Sequence, residues 1–170
     1  MTTAELTLRN DNHLTVTVRT SLSELFKRMQ WQNKPLSLVH MMAADGKSLA
    51  SFRAQLSLVF MRDMPITFSE QALISPNLRL PTLTALRRQI EVEIANGLLP
   101  SIEGEGHDRS NYLVVFVDGF IPKKALSKDL ASSVEVAFSP VLSDIMISFN
   151  RPLIQTLPAA KNARLYQQSF

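Results

Sequence analysis

Glu103, Glu105, His107 and Asp108 are the best local candidates for chemistry in this chain. Carboxylate oxygens and an imidazole so close in sequence could hold a divalent ion, or serve an enzyme whose remaining groups come from distant segments. The spacing matches neither an EF-hand nor a zinc pattern, and acids interleaved with Gly104 and Gly106 describe a solvated loop or a docking partner for a basic arm equally well. The other two histidines read as structural: His40 on the apolar side of a short helix, as a hydrogen-bonded core residue, and His13 in a turn. No serine lies in a nucleophile elbow and there is no cysteine to supply a thiolate. Gly104-Glu105-Gly106 puts a carboxylate where a phosphate-cradling loop needs backbone amides. The expectation is a protein that is not an enzyme and carries no cofactor or metal, with an enzyme centred on the 103–108 loop as an alternative.

Basic residues make the second set. Lys27, Arg28 and Lys34 fall on or just after the polar side of a first helix, Arg87 and Arg88 on a third, and Lys123, Lys124 and Lys128 form a local cluster. Such positions suit phosphates or acidic lipid heads, and they also suit a plain solvated face. The charge is sorted along the chain: residues 1–90 carry eleven Lys/Arg against six Asp/Glu, residues 91–144 carry four against nine, and residues 145–170 carry three with no acid. A basic body, an acidic middle and a basic tail can pair with copies of the same chain or press on an anionic partner. Arg151, Lys161, Arg164, Leu165, Tyr166 and Phe170 in that tail combine charge with apolar anchors suited to a neighbour's groove, so they are assigned to self-association. Most phenylalanines fall on inward strand positions in this reading, which points to phosphate contacts rather than base stacking if the partner is a nucleic acid.

The elements that must position these groups follow from periodicity. Leu6 and Leu8, then Leu14, Val16 and Val18, alternate around Asn10-Asp11-Asn12-His13 and predict a hairpin. Ser21-Leu22-Ser23-Glu24 is a capping box that opens a helix whose Leu22, Leu25, Phe26 and Met29 share a face. Pro35 starts a second helix that Asp45-Gly46 closes. Phe52, Ala54, Leu56, Leu58 and Phe60 alternate with polar residues and predict a strand, followed by another over Ile66–Ile74. A third helix runs from Thr82 to about Asn96, with Arg87 paired to Glu91 and Gly97 as its stop. Residues 98–111 form a long polar loop, and Tyr112–Val117 a central strand ended by Asp118-Gly119. Val134, Val136 and Phe138, then Ile145, Ile147 and Phe149, make the last two strands. The prediction is α+β: a largely antiparallel sheet with about three amphipathic helices, one domain over residues 1–149, and a basic extended arm over 150–170.

The strand Val16-Thr17-Val18-Arg19-Thr20 leading into the helix that ends at Trp31, followed by a short helix and then sheet, resembles the start of a rhabdovirus matrix protein over about residues 14–60. The resemblance implies a small, basic, non-enzymatic protein that self-associates, condenses a nucleocapsid and contacts an acidic membrane. Met1–Asn10 departs from that pattern, being neither basic nor proline-rich, and no PPxY motif occurs. The functional expectation is a structural, matrix- or coat-like protein that forms a homo-oligomer and binds a nucleoprotein, a nucleic-acid backbone or an acidic membrane surface. A nucleic-acid-binding accessory protein is the other alternative. No apolar run approaches the roughly 20 residues of a membrane span, and the first residues lack a secretion signal, so the expected location is cytoplasmic or the interior of a virion.

Overall fold

The computed structural model describes residues 1–9, 12–31, 34–35, 37–68, 70–98, 111–122, 134–142 and 144–150. Strands Thr2–Arg9 (β1) and His13–Ser21 (β2) form the predicted hairpin, with Leu6 opposite Val16 and Thr7 opposite Thr15. His13 is thus the first residue of a strand rather than part of the turn. β2 passes directly into the helix Leu22–Arg28 (α1), and Ser21 Oγ accepts the Glu24 backbone N–H at 3.5 Å as its cap. Two-residue strands Gln30–Trp31 (β3) and Lys34–Pro35 (β4) pair antiparallel, and the helix Leu38–Met42 (α2) begins after Pro35.

Asp45-Gly46 opens a helix instead of closing one. Asp45 Oδ1 accepts the Ser48 backbone N–H at 2.7 Å, and Gly46–Met61 (α3) runs for sixteen residues. This corrects the strand expected over Phe52–Phe60. Leu49, Phe52, Leu56, Val59 and Phe60 are buried at helical spacing, while Leu58, which a strand would have placed beside Leu56, is 49% exposed. The short window fits a period of two as well as a period of 3.6, and the longer window with its cap decides for the helix.

The strand expected over 66–74 is broken into Ile66–Phe68 (β5), Gln71–Ala72 (β6) and Ile74–Arg79 (β7), with Glu70 at a left-handed φ of 65° in the turn. Leu83–Leu98 (α4) follows, with the Ala85 N–H bonded to Thr82 Oγ1 at 3.2 Å. Gly97 lies within its last turn and does not end it. Tyr112–Phe120 (β8) continues through Asp118-Gly119, and Val134–Val136 (β9), a 3-10 turn at Pro140–Leu142 and Ile145–Asn150 (β10) complete the described chain.

The main sheet has the order β10-β1-β2-β8-β7, antiparallel throughout except for the parallel β1–β10 pair. β6, β5 and β9 make a small second sheet. Ala4, Leu6 and Leu8, Leu14, Val16 and Val18, and Leu113, Val115 and Val117 point to one face of the main sheet and are buried. They join one core with Leu25 and Phe26 of α1, Phe52 and Phe60 of α3, and Leu86 and Ile90 of α4. The Phe26 and Phe52 rings meet tilted at 60°, 5.3 Å between centroids. α4 packs against α1, α2 and α3. The fold is α+β, with the helical layer over one face of an antiparallel-rich sheet. No described helix is long and apolar enough to cross a membrane.

Candidate functional site

The basic residues singled out by sequence do not converge. Lys27 Nζ and Arg28 both lean on Glu24, at 2.7 and 3.9 Å, within one exposed helical turn. Lys27, bonding first, and Arg28 behind it hold the Glu24 carboxyl below the usual glutamate range. Arg87 turns to α2, donating to the carbonyls of Ala44 at 2.8 Å and Met42 at 3.3 Å. It thereby satisfies open carbonyls at that helix's end, and among the described residues no ion pair joins it to Glu91. Arg88 is exposed on α4, and Lys34 pairs through its backbone with Trp31. His40 is exposed rather than buried in the core. Lys123, Lys124 and Lys128, the loop residues Glu103, Glu105, His107 and Asp108, and the self-association set Arg151, Lys161, Arg164, Leu165, Tyr166 and Phe170 lie outside the described residues. Among the described residues no three His, Cys, Asp or Glu side chains are grouped to hold a metal ion.

The structure instead assembles a site on the face of the main sheet that the helices leave open. Because side chains alternate along a strand, the residues between the buried ones point outward: Thr15, Thr17 and Arg19 on β2, Phe116, Asp118 and Phe120 on β8, and Asn77 and Arg79 on β7. Asp118 is the hub. Its Oδ1 accepts the Thr15 hydroxyl at 2.8 Å, and its Oδ2 lies 2.7 Å from an Arg79 guanidinium nitrogen. His13 Nε2 approaches Oδ1 to 4.0 Å. The carboxylate side chain is 16% exposed, while Arg79 is 58% exposed.

Two contacts with phenylalanine rings flank that hub. The Arg79 guanidinium sits 5.0 Å above the Phe116 ring centroid, a cation–π contact. On the other side the His13 and Phe120 rings are 5.1 Å apart, and Phe120 is 45% exposed. Between them opens a shallow cleft of about 430 Å³ lined by His13, Ser75, Asn77, Arg79, Asp118, Gly119 and Phe120.

A bulge builds one wall. β7 advances three residues, Ile74 to Asn77, while β8 advances two, Phe120 to Asp118, and Ser75 takes a left-handed φ of 50° there. Such an extra residue bends the strand and re-aims the side chains beyond it, here Asn77 and Arg79. Gly119 permits the close approach, since a Cβ at that position would stand 3.1 Å from the Leu73 side chain.

This arrangement can bind through charge, hydrogen bonds and ring faces. Sequence reasoning missed it. The alternation of Phe116, Asp118 and Phe120 with Val115 and Val117 was the available signal, but reading Asp118-Gly119 as a strand end hid it. The pairing of β8 with β7 and β2, which gathers Arg79 and His13, has no local trace. Comparison of the chain with protein-family models, curated proteins and solved structures finds no match.

Proposed function

We propose that this chain is a non-enzymatic structural protein, of the viral matrix or coat type, that self-associates and engages an anionic partner such as a nucleocapsid or an acidic membrane surface. The observation that carries the self-association is the edge strand β10. It pairs with β1 on one side, and among the described residues its other side has no strand partner. Ile145–Asn150 contains no charge and no proline, and Met146 and Ile147 are 55% and 52% exposed. Edges in monomeric proteins are usually blunted by lysine, proline or a bulge, and an uncharged apolar edge is a template for pairing with another chain. A second copy laid along β10 extends the sheet across the pair. The sorted charge supplies long-range attraction between copies and toward an anionic surface.

Light scattering across a salt series tests this reading. Masses well above the 19.0 kDa of one chain are expected at low salt, falling as salt rises to about 0.5 M and charge interactions are screened beyond a few ångströms. Met146→Lys with Ile147→Lys is expected to shift the assembly toward monomer while circular dichroism stays unchanged. A monomer at every salt concentration overturns the proposal.

A further inference from the structure

We infer that the open face of the main sheet binds single-stranded nucleic acid, stacking unpaired bases on Phe120 and on the Arg79–Phe116 pair while Arg19 takes backbone phosphate. The inference rests on the reading that the chain engages an anionic partner, and names that partner's chemistry and place.

Four observations support it together. Two depressions occur on this one face: the cleft of about 430 Å³ beside Phe120, and a second of about 220 Å³ lined by Thr3, Glu5, Thr17, Arg19, Met146 and Ser148. Between them Thr15 and Thr17 keep the floor low. Secondly, Phe116 and Phe120 stand four residues apart on one strand, about 14 Å at the rise of a β-strand, and both point away from the core. Phe120 has His13 at one edge and is otherwise open enough to be 45% exposed. An aromatic ring on a polar sheet face buries little apolar surface in the free protein, and its face matches the face of any base.

Thirdly, Arg79 lies over Phe116 and remains 58% exposed, so its guanidinium offers a further stacking plane while its charge is paired with Asp118. Fourthly, the charges complement a polyanion. Among the described residues the two carboxylates on this face are engaged, Asp118 by Arg79 and Thr15, and Glu5 by the Asn150 amide at 2.8 Å. Arg9 and Arg19 are exposed and have no ion pair among the described residues. A duplex fits poorly, because its bases already stack on one another and its grooves need a protruding element rather than a flat floor. A lipid bilayer fits poorly as well, since the exposed Phe120 and Met146 stand at opposite sides of a threonine floor and form no contiguous apolar face to bury among acyl chains.

The test is fluorescence anisotropy of the full chain with a labelled oligouridylate of about 12 nucleotides. A duplex of equal length, inorganic polyphosphate and phosphatidylserine vesicles are the comparisons. Expected are tighter binding of the single strand than of the duplex, a loss of about 5- to 100-fold in Phe120→Ala, and retention in Phe120→Trp. Arg19→Glu is expected to weaken binding and flatten its salt dependence, whereas Lys47→Ala, exposed on α3 in the helical layer, changes neither. Circular dichroism of each variant checks the fold, and Arg19→Glu, at an exposed position, keeps the test open if Phe120→Ala unfolds. Equal binding of duplex and single strand, indifference to both Phe120→Ala and Arg19→Glu, or binding to vesicles alone overturns the inference. Light scattering on the same samples separates the two readings: assembly without oligonucleotide binding overturns this inference and leaves self-association standing, while a monomer that binds no polyanion overturns both.

Discussion

Arg79 reaches diagonally across the β7–β8 ladder. Its register partner is Phe116, and its guanidinium lies over that ring, yet its charge is spent on Asp118, two residues further along β8, at 2.7 Å. Diagonal neighbours on one face of an antiparallel pair lie within reach of long side chains, and the bulge at Ser75 sets the angle. One side chain therefore joins the acidic hub to the aromatic surface.

Removing that charge pair tests the link. Asp118→Asn keeps the shape and a hydrogen-bond acceptor for Thr15, so a stability loss of only about 0.5–1 kcal/mol is expected in urea titration, discounted because Arg79 is largely exposed. Oligonucleotide affinity is expected to rise, since a negative charge leaves the face while Arg79 is freed for phosphate. A fall in affinity with the fold intact would show that the geometry of Arg79 matters more than its net charge.

Leu56 and Leu58 discriminate helix from strand in α3. Leu56 is fully buried and Leu58 is 49% exposed. Leu56→Ala is expected to cost about 2–5 kcal/mol, as for other buried leucines, and Leu58→Ala no more than about 0.5 kcal/mol. Equal costs at the two positions, read from thermal or denaturant unfolding, would restore the strand.

Close packing at Gly119 makes the bulge vulnerable. Gly119→Ala pushes a methyl to within 3.1 Å of Leu73, and overpacking of this kind costs about 1–3 kcal/mol. Because Leu73 precedes the bulge, the substitution is also expected to disturb the His13–Phe120 end of the cleft. Chemical-shift changes clustered at β7 and β8 check it; shifts spread evenly over the protein oppose it.

Asp45 gives a pH dependence with a defined sign. Hydrogen bonds from Ser48 hold its carboxyl below the usual aspartate range, the side-chain bond first and the backbone amide second. A group whose folded pKa is depressed adds stability above its unfolded pKa and loses it as pH falls through the folded value. The melting temperature is therefore expected to decline as pH drops below about 4, and Asp45→Asn, which still caps α3, removes that part of the decline. An unchanged pH profile in Asp45→Asn opposes the assignment.

The local pattern of the sequence determined the hairpin, the Ser21 cap of α1, the helix after Thr82, the apolar strand from Tyr112 and the α+β class. Each rests on contacts between residues near in the chain, or on a period that only one kind of element satisfies. The segment 46–61 was ambiguous because the apolar residues of its short window fit two periods, and the Asp45 cap together with burial of Leu49, Phe52, Leu56 and Phe60 selects the helix. The site was illegible for a different reason. His13, Arg79 and Asp118 come from three strands, and strand order and the register shift at Ser75 depend on which surfaces exclude water together, a property of the packed chain that no window of neighbouring residues contains.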